Sequence, residues 1–142
     1  MTRKQKSFFD AARAVSELSD FPKVHIGCVV TDGNHRIISS GCNSTKTHPL
    51  QKQLNKERFD EDTNHFLHAE VVALLPLIKD DTDFNKVKLY VHRTLQNGNL
   101  GLARPCKSCM RLIRELGIKD IFFTTYDGYA HEEIIYDEQE DQ

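Results

Sequence analysis

At 142 residues, with 39% hydrophobic and 28% charged side chains and a formal net charge of −2, the chain has material for one compact core and too little for two comfortable domains. No window reaches 18 consecutive apolar residues, and the opening "MTRKQKSFFDAARAV" lacks the apolar stretch and small-residue cleavage site of a secretory signal, so the sequence predicts a cytoplasmic chain with no membrane partner. The tail "DEQEDQ" holds Asp137, Glu138, Glu140 and Asp141 and reads as the frayed, solvated end of a single domain spanning 1–142; without it the balance turns slightly positive, which neither demands nor excludes nucleic acid.

Taken in order, the elements alternate. Phe8, Ala11, Ala12, Val15 and Leu18 recur at helical spacing and predict an amphipathic first helix over 7–18 whose apolar stripe covers a sheet. "VHIGCVV" and "RIISSGC", joined by "TDGNH", read as an antiparallel hairpin with Asp32-Gly33 supplying the positive dihedrals of a tight turn. That turn would set Cys28 opposite residue 38 or 39, away from Cys42, and leaves both cysteines as small buried hydrophobes. Residues 43–65 are polar, with Pro49 opening a short helix "PLQKQLNKERF", and read as rim rather than core. The run from His68 to Leu75 is apolar on every side, fitting a helix sandwiched between layers, and Pro76 is expected to end or kink it. "VKLYVH" is a strand, "CKSCMRLIRELG" a helix closed by Gly117, and "KDIFFTTY" a further strand. Only Asp127 and Gly128 then separate "IFFTTY" from "YAHEEII", so the last strand turns back antiparallel.

The chemistry lies in "HAE" at 68–70 and "RPCKSC" at 104–109, each at the start of a predicted helix. Pro105 suits a first helical position, and Cys106 and Cys109, three apart, then share a face of the first turn. Two thiolates grip one metal, and His68 adds a third ligand if the helix starts meet. Three protein ligands leave one tetrahedral position open, which is the arrangement of a catalytic zinc. Glu70 is placed beside the metal as a proton shuttle, because an uncompensated carboxylate next to a core is otherwise costly. The competing reading, a structural zinc or a redox pair, needs a fourth ligand, for which His65 and His92 are positioned, and leaves Glu70 without a purpose.

Together, in this order and with Pro before the first Cys, these fragments resemble the zinc deaminases that act on nucleobases, and the chain is similar over nearly its whole length to the cytidine deaminase-like superfamily. The resemblance implies an α/β fold, a three-layer α-β-α sandwich around a five-stranded mixed sheet, with Zn2+ held between the second and third helices. It implies His68, Cys106 and Cys109 as ligands, Glu70 as the catalytic proton carrier, and hydrolytic deamination of a cytosine nucleoside or nucleotide to the uracil product and ammonia. Asn43, in "GCNSTKTHP", matches the asparagine that contacts the substrate sugar in many members, and Ala69 lies between the two key residues as a further substrate contact. Lys46, His48, Arg58 and Arg104 are candidates for a substrate phosphate at the pocket mouth. The basic rim is interleaved with Glu57, Asp60, Glu61 and Asp62, and with 8% aromatics and no Trp a base edited within single-stranded nucleic acid is the less favoured substrate. A homo-oligomer is compatible with the sequence. Two features depart from the commonest pattern: "RTLQNGNLGLARPC" is a long strand-to-helix link, and Arg104 stands where serine or glutamate is usual. The subfamily signals also disagree, since the terminal hairpin resembles free-nucleoside and toxin deaminases whereas "NSTKTHP" resembles deoxycytidylate and phage types.

Overall fold

The computed structural model describes residues 1–56 and 65–136. Arg58, the acidic residues 57 and 60–62 and the tail 137–142 lie outside the described residues. The first helix, α1 (Arg3–Ser16), starts earlier than its apolar pattern because Thr2 and Gln5 form a reciprocal capping box, the Thr2 hydroxyl accepting from the Gln5 N–H and the Gln5 amide oxygen from the Thr2 N–H. It ends before Leu18, which was expected in the stripe and instead stands 77% exposed.

The hairpin of β1 (His25–Thr31) and β2 (Ile37–Cys42) forms as expected, but its turn is different. The left-handed residue is His35 (φ 61°), while the Asp32 carboxylate accepts from the N–H groups of Asn34 and Arg36 and folds the turn around itself. The longer turn and a register shift at Val30/Thr31 put Cys28 opposite Gly41, not residue 38 or 39. Cys28 and Cys42 still do not face each other, and all four cysteines are free.

The polar segment is more structured than a rim. Strand β3 (Ser44–Thr47) pairs with β4 (Phe66–Leu67), and α2 (Pro49–Asn55), with Pro49 in its first turn, buries Gln51, Leu54 and Asn55. Helix α3 (Ala69–Lys79) runs through Pro76 instead of stopping there. The chain then passes a single 3-10 turn (Phe84–Lys86) into β5 (Lys88–Thr94), α4 (Lys107–Leu116), β6 (Asp120–Thr125) and β7 (Gly128–Glu133). Gly117 takes the left-handed C-cap at φ 83°.

The main sheet has the order β2-β1-β5-β6-β7, in which β5 and β6 alone are parallel, joined by the crossover through α4. β7 returns antiparallel along β6 as expected, but the two-residue loop is Tyr126-Asp127 rather than Asp127-Gly128, because Gly128 is already paired with Thr125. Side chains alternate across the sheet: Val29, Tyr90 and Phe122 pack under Phe8, Phe9 and Ala12 of α1, while Val30, Leu89, Val91 and Ile121 face Val71, Leu74 and Ile113 of α3 and α4. This gives the mixed three-layer α-β-α arrangement. Among the described residues no helix is long and apolar enough to cross a membrane.

Candidate active site and metal centre

Both chemistry-bearing fragments sit at helix starts, in a way that differs from the expected placement by one residue. His68 is the N-cap of α3 (φ −83°, ψ 152°) and Cys106 the N-cap of α4 (φ −70°, ψ 172°), so Pro105 precedes the cap rather than opening the helix. Neither side chain caps its own helix. Both turn instead toward a common point: His68 Nδ1 lies 3.4 Å from Cys106 Sγ and 3.3 Å from Cys109 Sγ, and the three ligand atoms fall within 4.8 Å of one another. A tetrahedral centre with bonds of about 2.3 Å to sulfur and about 2.0 Å to nitrogen separates S from N by about 3.5 Å, so this donor set fits zinc. His65 and His92 do not join it. His65 Nδ1 is paired with the Asn55 amide at 3.1 Å, and His92 lies buried on the α1 face of the sheet beside the Thr94 hydroxyl. The described residues therefore offer three ligands rather than the closed set of a structural site.

A hydrogen bond from Cys109, then His68, brings Cys106 down to about 3 against the effect of burial, while Cys109, the donor in that bond and itself buried, is pushed well up. Glu70, in the first turn of α3, is only 5% exposed. Burial pushes its carboxyl up, opposed chiefly by the charge of His68.

Glu70, His68, Cys106 and Ala69 line one cavity of about 360 Å³, together with Asn43 and Arg104. Asn43 is more tied down than a free sugar contact: its Oδ1 accepts from the Ile26 N–H at 3.0 Å and its Nδ2 donates to the Val24 carbonyl at 2.8 Å, fastening the entry to β1. The Arg104 guanidinium makes a two-pronged bond to Glu132 on β7, at 3.1 and 3.0 Å. Lys46 and His48 do not line the cavity; the His48 ring instead caps α2, accepting from the Leu50 N–H.

Sequence reasoning missed the walls. Phe21 and Phe66 meet edge to face at 5.3 Å, and Leu67 and Ile26 complete an apolar surface. Arg93 also lines the cavity, half-buried, and has no carboxylate partner among the described residues. A single cation at the end of the apolar run "KLYVH" was the available signal. The long link after Arg93 is not a loose loop: Thr94 bridges to Leu100 around a turn with Gly98 at φ 86°, and buried Thr124 ties it to the sheet, its hydroxyl donating to the Gly101 carbonyl and its own carbonyl accepting from the Ala103 N–H.

Comparison with known proteins agrees with this geometry. Among solved structures, the deoxycytidylate (dCMP) deaminase of cyanophage S-TIM5, solved in complex with dCMP and dUMP, superposes with a TM-score of 0.61 over 88% of this chain and 84% of that one at 19% identity. Cytidine deaminase from Mycobacterium leprae gives a TM-score of 0.55 over 89% and 91% at 19% identity. These likenesses show the fold. In sequence, a probable deoxycytidylate deaminase of Caenorhabditis elegans is 28% identical over 127 residues, 85% of this chain, which spans 57% of that relative's length. The family described as the cytidine and deoxycytidylate deaminase zinc-binding region matches residues 2–125, a span that contains both helix starts and every donor of the His68, Cys106 and Cys109 set, and the chain belongs to that family.

Proposed function

We propose that the chain is a zinc-dependent enzyme hydrolysing the exocyclic amine of a cytosine nucleotide, in preference to the free nucleoside, to give the uracil product and ammonia. The observation that carries this reading is the buried Glu70 lining the same cavity as His68 and Cys106 of the three-donor metal set. Zinc held by His68, Cys106 and Cys109 would supply the Lewis acidity that makes water a nucleophile at neutral pH.

Everything else is the work of this chain's residues. Glu70 takes one proton from the attacking water, places it on N3 of the ring, and then carries the second proton to the exocyclic nitrogen, which leaves as ammonia. A carboxyl raised by burial is suited to giving protons back as well as taking them. The first turns of α3 and α4 present their N–H groups and positive dipole ends to the site, favouring thiolates there. Phe21, Phe66 and Leu67 offer the base apolar walls that keep bulk water out. Asn43, already fixed by two main-chain bonds, has a remaining lone pair and a remaining amide hydrogen for the sugar.

Arg93 is the phosphate contact on this reading. Arg104, Lys46, His48 and Arg58 were the expected ones, but Arg104 is held by Glu132, Lys46 and His48 do not line the cavity, and Arg58 lies outside the described residues. The nucleotide preference is also supported by the dCMP and dUMP found in the phage relative and by the name of the nematode one. Free cysteines suit a reducing compartment, so the cytoplasm is the place proposed for a single catalytic domain.

The test is ammonia release from deoxycytidine, dCMP and a deoxycytidine-containing oligonucleotide. Arg93→Ala should lower kcat/KM for dCMP by about 10- to 100-fold, the scale of a lost charge-assisted bond, and leave deoxycytidine unchanged, whereas Arg104→Ala should do little to either. No release from any substrate overturns the reading. Equal use of nucleoside and nucleotide overturns the phosphate contact, and preference for the oligonucleotide with a steep salt dependence moves the chain to the nucleic-acid editors.

A further inference from the structure

We infer that Gln51 is a positioning residue for the metal centre, holding the main chain of His68 in the conformation that turns its imidazole toward the two cysteines. This rests on the proposed zinc site. Gln51 lies on α2, is 0% exposed, and belongs to none of the elements that carry a ligand. Its Oε1 accepts a hydrogen bond from the His68 N–H at 3.1 Å. Its Nε2 donates to Asn55 Oδ1 at 2.9 Å, and the Asn55 amide meets His65 Nδ1 at 3.1 Å, so the carboxamide is fixed from both ends.

The position of that bond gives it meaning. His68 is a helix N-cap, and in a capping box the N–H of such a residue is satisfied by a glutamate or glutamine at the third helical position. In α3 that position is Val71, which has no acceptor and is spent on the core. His68 also cannot cap with its own ring, because Nδ1 is turned to the thiols. Gln51 supplies from another helix the acceptor that α3 lacks. Helix α2 packs in addition against α4, which carries Cys109, and Leu54 shares the core with Cys109 and Met110. One short helix therefore braces both halves of the site: α4 through apolar packing, and the start of α3 through a buried amide. Groups that orient metal ligands by hydrogen bonding commonly cost about 10- to 100-fold in metal affinity when removed.

The experiment measures zinc affinity by chelator competition, and the thiolate-to-metal charge-transfer band of the cobalt-substituted full chain, for the wild type, Gln51→Met and Gln51→Glu. Methionine keeps the volume and removes the acceptor; a buried, protonated glutamate keeps one oxygen for the His68 N–H and an O–H for Asn55. Gln51→Met should bind zinc about 10- to 100-fold more weakly with a shifted cobalt spectrum, and Gln51→Glu should restore both toward wild type. Wild-type affinity and spectrum in Gln51→Met, with thermal stability lowered equally in its apo and zinc-loaded forms, would make Gln51 a packing residue and overturn the inference alone. If Gln51→Met does not fold, Gln51→Glu decides: wild-type binding supports the inference, and weakened binding in a folded chain overturns it. A wild-type chain that takes up no zinc overturns this inference together with the proposed function.

Discussion

Glu70 and His92 are both buried ionisable residues, and their surroundings assign them different consequences. Glu70 borders the cavity beside two sulfurs and an imidazole, where a proton has somewhere to go. Glu70→Gln is nearly isosteric but cannot relay a proton. It should retain one zinc per chain by metal analysis and lose on the order of 10²-fold or more in kcat. Loss of zinc as well would make Glu70 a ligand. His92 lies on the opposite face, under α1, 2% exposed, with the charges of Arg13 and Lys6 disfavouring its cation and Asp10 favouring it. Burial leads these causes and brings it down from 6.5 to about 4. The unfolded chain therefore takes up a proton near pH 6.5 that the folded chain refuses until about pH 4, and stability falls as pH drops through that window. Replacing His92 with glutamine should make the stability–pH slope between those values shallower by up to about one proton, as read from denaturant melts.

Two glycines show how elements reach their places by different physics. Gly27 on β1 meets α1 so closely that an added Cβ would lie 2.0 Å from the Ala12 carbonyl oxygen and 2.7 Å from the Ser16 nitrogen, both main-chain atoms that cannot rotate away. Gly27→Ala should push α1 off the sheet and cost about 3 kcal/mol or more, the upper end for overpacking. Gly117 has open space around it but sits at φ 83°, so Gly117→Ala should cost only the left-handed backbone penalty, about 1–2 kcal/mol. Urea denaturation of both variants checks the ranking, and a larger loss at Gly117 would contradict it. Helix α3 illustrates the same competition from the other side. Pro76 gives up one helical hydrogen bond, yet Leu77 beyond it is buried in the core and the helix continues to Lys79.

At the scale of the whole molecule, zinc held by His68, Cys106 and Cys109 would join parts that the sheet alone does not fasten. His68 comes from the β4–α3 side and the cysteines from α4, 38 and 41 residues further along the chain. A metal bound to the folded state and not to the unfolded one at about 100 times its dissociation constant contributes about 2.7 kcal/mol. Stripping zinc by chelation should therefore lower the melting temperature by about 5–10 °C at this chain length, and restoring it should return the original value. A melting temperature indifferent to chelator would mean that the site is empty or formed equally in the unfolded chain.

The candidate donor set of His68, Cys106 and Cys109, the buried Glu70 beside it and most of the elements were legible in the sequence because each depends on neighbours a few residues away. Paired cysteines at a helix start, His and Glu two apart, a left-handed Gly117 and an Asp-Gly signal for a two-residue hairpin turn, which the structure places one residue earlier at Tyr126-Asp127, are all short-range signals. Tertiary structure decided what required partners from afar. Arg104 is paired with Glu132, 28 residues on; Arg93 lines the cavity with no carboxylate partner among the described residues; and Gln51, in a segment that looks like polar rim, is buried against His68. A polar side chain's role is set by which donor or charge the fold brings within about 3 Å, and local periodicity carries no record of that. The Cys28 register shows the same limit, since one different turn slides the whole pairing.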